Sequence, residues 1–422
     1  MHKNLWHPFT ILKDSPEPIK VKSGKGAWLT LEDEREVLDC ISSWWVNLHG
    51  HAHPEIADAI YEQAQKLEHV IFAGFTHDPA EQLAELLTAK LPGNLNRVFY
   101  SDNGSTAVEV GMKIAYQYWK NKEEDRKTFI CFEGAYHGDT FGAMSAGERS
   151  VFTEVFQDLL FDVEVLPFPE TWMDDTERAR KEDEVIEKLE QLLDDDPQKY
   201  AGILMEPLVQ GAGGMRMCSE EFLQKLHWVN RQFDVLLIFD EVMTGFGRTG
   251  DYFACKRAQV EPDIICLSKG ITGGFMPLAA TVCSDEIYEA FNSRDPVKTF
   301  WHGHSYTANP LGCAAGISSI KILEREESFK SFESLHLKEI EKLKSHPKLE
   351  KFRVKGTIAA MDIRNEEEDG YLNSAAKMIK EKCLDEGVLL RPLGNVLYLM
   401  PPYCTTAVEL KSVYQSIVHL ID

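Results

Sequence analysis

The sequence has no run of about 18 apolar residues, the length that a membrane-spanning helix needs. Its first residues, MHKNLWHPFT, lack the long apolar core of a secretory signal. Basic residues are few, with 45 Lys and Arg against 68 Asp and Glu, and the net charge of -23 disfavours binding to nucleic acid or to an anionic membrane. These absences predict a cytoplasmic protein whose partners are neither nucleic acid nor membrane.

Close-spaced metal ligands are also missing. The nine cysteines are scattered, and their odd number fits reduced thiols better than a disulfide framework. His49, His51 and His53 alternate along an extended segment, which would place them on one face without a carboxylate or thiolate beside them. We therefore predict no metal site and favour structural hydrogen bonds for these histidines.

A length of 422 residues and an apolar content of 44% indicate a globular protein with more than one core. Short apolar strands alternate with amphipathic helices through most of the chain, and from about residue 320 the pattern becomes helices plus short strands. We predict an α/β fold in which a mostly parallel sheet is flanked by helices. The large domain would span 56–315, the smaller α+β domain 316–422, and an N-terminal segment, 1–55, would join the smaller domain.

Two apolar runs end in groups that can do chemistry: one ends in Asp240 and Glu241, and the other delivers Lys269. The carboxyl ends of neighbouring parallel strands meet at one edge of a sheet, where ligands bind. Pyridoxal 5'-phosphate (PLP) uses both groups, as a Schiff base on a lysine with an aspartate on its pyridinium nitrogen. Because strand residues alternate in direction, only one of Asp240 and Glu241 should reach such a ring. Each group also has an ordinary structural alternative, as a solvated lysine or a turn-capping carboxylate.

Two further motifs are suited to a planar, anionic ligand. The turn around Gly104 and Ser105 precedes a helix, where small residues and hydroxyl groups suit either anion binding or ordinary capping. Tyr136 stands at the end of another apolar run, where its ring could stack on a planar ligand or simply be packed.

Together these motifs resemble the class III aminotransferases of PLP fold type I, and the resemblance covers nearly the whole chain. It depends on LLIFDEVMTGFGRTG, LSKGITGG, DNGSTAVE, GAYHGDT and HSYTANPLGCAA. Within that family, WHPFT, SSWWVNLHGH, EPLVQGAGGM and RPLGNVLYLMPPY resemble the members that convert 8-amino-7-oxononanoate to 7,8-diaminononanoate in biotin biosynthesis. The resemblance implies PLP as cofactor and a homodimer with shared active sites.

The resemblance also implies a role for each matching residue. Lys269 would bond covalently to PLP and transfer protons, and Asp240 would hold the pyridinium nitrogen. The other implied cofactor contacts are Tyr136 and Val242 over the ring faces, and Gly104, Ser105 and the neighbouring subunit's Ser305 around the phosphate.

The implied substrate is apolar in the middle and anionic at its far end, so it needs an aromatic wall and a cation. Trp44 and Trp45 could provide the wall, and Arg391 a bidentate clamp for the carboxylate. Arg248 is either an alternative clamp or a structural arginine. The same pocket is expected to include Tyr398 and Gly303.

Two departures from the family pattern concern the amino donor. Members that use S-adenosylmethionine typically have tyrosine where this chain has Phe9, and His304 stands where proline is frequent. S-adenosylmethionine is the expected donor, with lysine as the alternative.

Three other functions stay open at this stage. The first is another class III transaminase acting on an ω-amine or an ornithine-like substrate, which the Trp pair and the RPLG motif disfavour. The second is an aminomutase, which an absolute need for a separate donor would exclude. The third is a non-catalytic binding protein, which the retention of Lys269 and Asp240 disfavours.

Overall fold

The computed structural model describes residues 4–13, 16–149, 153–364 and 375–421. The strands are β1 (Val21–Lys25), β2 (Trp28–Leu31), β3 (Glu36–Asp39), β4 (Leu95–Ser101), β5 (Thr128–Phe132), β6 (Glu164–Leu166), β7 (Tyr200–Met205), β8 (Val209–Gln210), β9 (Arg216–Met217), β10 (Leu236–Asp240), β11 (Ile264–Leu267), β12 (Ala279–Ser284), β13 (Leu349–Lys355), β14 (Ile358–Ile363), β15 (Val388–Leu389) and β16 (Val396–Leu399). The α-helices of five or more residues are Pro54–Ala64, Asp78–Lys90, Gly104–Asn121, Phe141–Ser145, Arg178–Asp195, Glu220–Phe233, Ala254–Ala258, Asp285–Glu289, Pro310–Glu326, Phe332–Leu343, Ala375–Lys382 and Ala407–Ile421.

The main sheet has seven strands in the order β4-β12-β11-β10-β7-β5-β6. The strand β12 runs antiparallel to both of its neighbours, and the other six strands run in one direction. The register pairs Asp240 of β10 with Cys266 of β11. The prediction of an α/β fold with a mostly parallel sheet is confirmed.

The central strands of this sheet are covered on both faces, so they are apolar throughout rather than alternating. Every residue of β7, β10, β11 and β12 is buried. Leu237 and Phe239 belong to one hydrophobic cluster, whereas Leu236 and Ile238 belong to another that includes much of helix Gly104–Asn121. These two hydrophobic layers pack against the strands whose ends form the edge of the sheet.

Smaller sheets lie outside the main sheet, and one of them joins the two ends of the chain. The strands β1, β2, β3 and β15 form one sheet, and β13, β14 and β16 form another. The parallel pairing of β3 with β15 brings the N-terminal segment into one sheet with C-terminal residues. The domain boundaries remain a proposal. Among the described residues, no helix combines the length and the apolar character needed to cross a membrane.

The segment Ser42–Trp45 forms one turn of left-handed helix. Its φ angles are 49°, 45°, 73° and 74°, and Trp45 N donates to Ile41 O at 2.8 Å. Left-handed helical backbone disfavours residues with a Cβ by roughly 1–2 kcal/mol each, so contacts elsewhere must stabilise the turn. This turn carries both tryptophans of the predicted substrate wall.

Candidate active site

The sheet brings Asp240 and Lys269 to the same edge, as the sequence predicts. Asp240 is the last residue of β10, and Lys269 comes two residues after the end of the adjacent parallel strand β11. The φ angle of Lys269 is 44°, in the left-handed region that a lysine seldom adopts. Strained backbone of this kind is concentrated at functional sites.

The environment of Lys269 favours its neutral amine. Burial lowers the pKa of Lys269, and the positive charge of Arg248 lowers it further, while the negative charges of Asp240 and Glu206 oppose the shift. Lys269 Nζ lies 4.8 Å from the centre of the Trp45 ring. A lysine with a lowered pKa has more of the nucleophilic free amine near neutral pH.

Asp240 is 4% exposed and is held on both oxygens. His137 Nδ1 lies 2.7 Å from Asp240 Oδ2, and Val242 N donates to Oδ1 at 3.1 Å. Since a carboxylate only accepts, the Nδ1 atom of His137 carries the proton in this pair. No role for His137 was apparent from the sequence, although its position beside Tyr136 after a buried strand was a usable signal.

Glu241 faces away from Asp240 and has a structural role. Its carboxylate accepts from Ala254 N at 2.7 Å and from Cys255 N at 2.8 Å, which caps the short helix Ala254–Ala258. Burial raises the pKa of Glu241 to about 7. The alternation of strand residues therefore distinguished the two neighbouring carboxylates correctly.

Glu206 is a second site residue that the sequence left without a role. It follows β7, and its carboxylate accepts from Tyr136 N at 3.0 Å and from Gly211 N at 2.9 Å. Burial raises the pKa of Glu206 to about 7. By holding the backbone at Tyr136, it fixes a ring that is 37% exposed and could cover a planar ligand.

The turn before helix Gly104–Asn121 is an ordered helix N-terminus. Asn103 Oδ1 accepts from Thr106 N at 3.0 Å, and Asn103 N donates to Thr106 Oγ1 at 3.3 Å, so the two residues form a capping box. A Cβ on Gly104 would lie 2.6 Å from Val242 Cγ1, which explains the glycine. This close approach places the helix N-terminus, where anions bind readily, beside the end of β10.

Gly138→Ala tests how tightly Ser105 is held at this turn. Gly138 has a φ angle of 126°, and an added Cβ would lie 1.9 Å from Ser105 Oγ. We expect the change to lower the free energy of unfolding by roughly 1–3 kcal/mol, because either backbone strain or displacement of Ser105 must follow. If Ser105 holds the PLP phosphate as predicted, the change should also weaken PLP binding. Thermal unfolding and titration with PLP measure the two effects.

Gly74→Ala is the matched control for this substitution. Gly74 has a φ angle of 81°, but an added Cβ would meet no atom within 4 Å. It should therefore reproduce the backbone cost without the loss of PLP affinity. Equal PLP affinities for the two variants would contradict the role given to Ser105.

Trp45 contacts both Lys269 and Tyr398, another of the predicted substrate-binding residues. Its ring is buried beneath the Lys269 side chain, and its Nε1 donates to Tyr398 Oη at 3.0 Å. Tyr398 lies in β16, so the contact joins the Trp turn to the smaller sheet.

Trp44 lies between an aromatic residue and a cation. The Phe9 ring meets it edge-on with centroids 5.5 Å apart, and the guanidinium carbon of Arg391 lies 4.6 Å from its ring centre. Trp44 is 39% exposed, and Arg391 is partly buried. Within the described part of the chain, no carboxylate forms an ion pair with Arg391, so its charge is available to a ligand.

Arg248 occupies the structural position, one of its two predicted alternatives. It is buried, and its Nη1 donates to Pro401 O at 3.1 Å while its Nη2 donates to Asn47 O at 3.1 Å and to Trp45 O at 3.3 Å. These three backbone contacts favour the structural alternative, whereas Arg248 Nε is buried and has no hydrogen-bond partner among the described residues. A carboxylate clamp at Arg248 remains a prediction.

Gly303 and Ser305 lie apart from these groups on an exposed loop. The loop contacts helix Gly104–Asn121 through a 2.9 Å hydrogen bond between Lys113 Nζ and His302 Nδ1. The predicted role of Ser305 depends on a second subunit, and the roles of both residues remain predictions.

The chain is similar to proteins of known activity along its whole length. A family model described as Aminotransferase class-III matches residues 11–421. A protein from Synechococcus elongatus named adenosylmethionine-8-amino-7-oxononanoate aminotransferase is 56% identical over 422 residues, covering 100% of this chain and 99% of that protein. A protein of the same name from Geobacter sulfurreducens is 41% identical, covering 97% of this chain and 93% of that one.

Solved structures agree with these relationships. The adenosylmethionine-8-amino-7-oxononanoate aminotransferase of Methanocaldococcus jannaschii superimposes with a TM-score of 0.91 at 33% identity, covering 99% of this chain and 96% of that chain. An amine transaminase from an uncultivated Pseudomonas species gives 0.92 at 29% identity, covering 100% and 99%. These similarities confirm the predicted fold type I architecture. The chain belongs to the class III aminotransferase family.

Proposed function

We propose that this protein is a PLP-dependent aminotransferase that converts 8-amino-7-oxononanoate to 7,8-diaminononanoate in biotin biosynthesis, with S-adenosylmethionine as the amino donor. The observation that carries the proposal is full-length identity of 56% to a protein named for this reaction. The partly buried lysine and the supported aspartate at one sheet edge agree with it. Sequence similarity thus supports the predicted substrate, and the site chemistry supports the predicted cofactor.

The residues at the sheet edge fit PLP. Asp240, fixed by His137 at 2.7 Å, is a buried carboxylate suited to a protonated pyridine nitrogen. Gly104 and Ser105, at the start of an 18-residue helix, are suited to a phosphate group. Tyr136 and Val242 would cover the two faces of the ring.

When bound, PLP supplies an electron sink for the electrons released as a C–H bond of the amine breaks. Lys269 Nζ would take the proton from the carbon that bears the donor's amino group. It would then deliver a proton to the former carbonyl carbon of the keto acid. The lowered pKa of Lys269 favours this exchange, because the amine is free to accept a proton.

The keto acid would lie across the Trp turn with its carboxylate toward Arg391. Trp44 holds the guanidinium plane by a cation–π contact at 4.6 Å, and Trp45 lies between Tyr398 and Lys269. An apolar substrate chain would therefore run from the reacting amine to the cation along aromatic surface. This arrangement favours a long keto acid over a short ω-amine.

A homodimer is part of the proposal. Besides Ser305, the loop exposes large apolar side chains, with Trp301 76% and Tyr306 62% exposed. A second copy of the chain would cover this surface and bring its Ser305 to the phosphate turn.

In the test, purified protein and PLP are incubated with 8-amino-7-oxononanoate. S-adenosylmethionine is added to one reaction and lysine to a parallel one. We expect 7,8-diaminononanoate to form with S-adenosylmethionine. Product with lysine alone would support the same reaction with lysine as the amino donor. Phe9, which contacts the Trp44 ring, is the departure that suggests this alternative. Absence of product with both donors would overturn the proposed substrate.

Arg391→Ala should raise the KM for the keto acid roughly 10- to 150-fold, because a charge-assisted hydrogen bond is worth roughly 1.5–3 kcal/mol. Arg391→Lys should recover only part of this, since lysine keeps the charge and loses the planar fork. Steady-state kinetics measure both. Arg294→Ala removes an exposed arginine as a control, and an unchanged KM in Arg391→Ala would remove Arg391 from the pocket.

A further inference from the structure

Asp39, a buried carboxylate, stabilises the left-handed turn Ser42–Trp45 through hydrogen bonds. Asp39 ends β3 and is fully buried. Its Oδ1 accepts from Ile41 N at 3.1 Å, and its Oδ2 accepts from the Ser43 hydroxyl at 2.7 Å. Both contacts lie at the start of the turn, where the backbone enters the left-handed region.

His51 completes this arrangement in one defined tautomer. Gly50 N donates to Asn47 Oδ1 at 2.8 Å, which fixes the amide so that Asn47 Nδ2 faces His51 Nδ1 at 3.1 Å. An amide nitrogen can only donate, so His51 Nδ1 accepts and the proton is on Nε2. That Nε2–H donates to Asp39 Oδ2 at 3.0 Å. Although burial opposes the shift, the hydrogen bonds from His51 and Ser43 lower the pKa of Asp39.

The turn determines where both tryptophan rings lie. Because their φ angles are 73° and 74°, a switch to ordinary backbone would re-aim Trp44 and Trp45 together. Trp44 would then lose its 4.6 Å contact with the Arg391 guanidinium. Trp45 would lose its hydrogen bond to Tyr398.

We propose that Asp39 and His51 are positioning residues for substrate recognition: through the turn Ser42–Trp45 they hold Trp44 against Arg391 and so orient the clamp for the keto acid's carboxylate. Neither residue touches the substrate in this scheme. The inference rests on the proposed function, because it concerns the same clamp.

Asp39→Asn tests the proposal. The new amide cannot accept from Ile41 N, Ser43 Oγ and His51 Nε2 together without turning its NH₂ toward one of these donors. The KM for 8-amino-7-oxononanoate should rise about tenfold or more, while kcat stays within about threefold. His51→Gln keeps an N–H donor and should recover most of the affinity that His51→Leu loses. Asp33→Asn, on the exposed turn between β2 and β3, is the matched control and should change neither constant.

Two further measurements separate positioning from general stability. In a double-mutant cycle, adding Arg391→Ala to Asp39→Asn should raise the KM little beyond the larger single effect, because both changes act on one clamp. A crystal structure of Asp39→Asn should have lost the left-handed turn. Ser43→Ala removes the hydrogen bond from the Ser43 hydroxyl to Asp39. It can replace Asp39→Asn in both measurements if Asp39→Asn does not fold.

Fully multiplicative KM effects, or a retained left-handed turn in Asp39→Asn, would overturn the positioning role. Equal losses of kcat for Asp39→Asn and Ser43→Ala without a change in KM would also overturn it. Failure of the wild-type protein to convert the keto acid would instead overturn the proposed function. The crystal structure reports on the turn independently of that activity.

Discussion

Lys269→Ala should lower kcat by roughly 10⁵-fold or more, because it removes the group that we assign to both covalent attachment and proton transfer. The bound cofactor should also lose its covalent link, so denaturation without a reducing agent and denaturation after borohydride treatment should release PLP equally. The fold should persist, since the side chain contributes mainly a contact with the Trp45 ring. Absorbance spectra and mass spectrometry of the treated protein measure the attachment.

Lys321→Ala provides the control, because this lysine is exposed on helix Pro310–Glu326 and lies outside the proposed site. Its activity and its borohydride-trapped adduct should match those of the unmodified protein. Methylamine, a small primary amine, should restore part of the rate of Lys269→Ala by replacing the missing base. A borohydride-stable adduct in Lys269→Ala would assign the attachment to another lysine.

Asp240→Asn should lower kcat by roughly 10²- to 10³-fold, the loss expected when one preorganised electrostatic contact worth about 2.7–4 kcal/mol disappears. Asparagine keeps the shape of the side chain but removes its charge, so it no longer favours a protonated ring nitrogen. It also replaces a charge-assisted hydrogen bond to His137 Nδ1, now 2.7 Å long, with a weaker one. Single-turnover kinetics with the amino donor measure the effect on chemistry apart from binding.

Glu241→Gln is the matched control, since the two carboxylates are adjacent in the chain and face opposite sides. Its amide can accept only one of the two backbone hydrogen bonds that now hold helix Ala254–Ala258, so we expect lower stability with kcat nearly unchanged. Equal losses of kcat in Asp240→Asn and Glu241→Gln would contradict the assignment of Asp240 to the cofactor.

Local patterns in the sequence were sufficient to predict the large-scale fold and the sheet edge at which the candidate site lies. Continuous apolar runs predicted buried strands, and their polar ends predicted that Asp240 and Lys269 meet at one edge of the sheet. The period of two along a strand separated Asp240 from Glu241. These predictions needed only the local order of apolar and polar residues and the rule that neighbouring parallel strands end at the same edge of a sheet.

Contacts between distant parts of the chain were beyond that reasoning. His137 and Asp240 stand 103 positions apart, and Glu206 and Tyr136 stand 70 apart, so no local period connects them. Arg248 could not be assigned because its carbonyl partners come from segments more than 150 positions away. The left-handed turn was also missed, because the SSWW segment contains no glycine to indicate positive φ angles.

The pairing of β3 with β15 has a consequence for the length of substrate that fits. Asp39 lies opposite Leu389 in this pair, so the Trp turn and Arg391 follow neighbouring strand ends of one small sheet. Lys269 follows a strand of the large sheet instead. If Arg391 binds the keto acid's carboxylate as proposed, the packing of the two sheets sets the distance from the Lys269 amine to that carboxylate. The same packing would then select the number of methylene groups in the substrate.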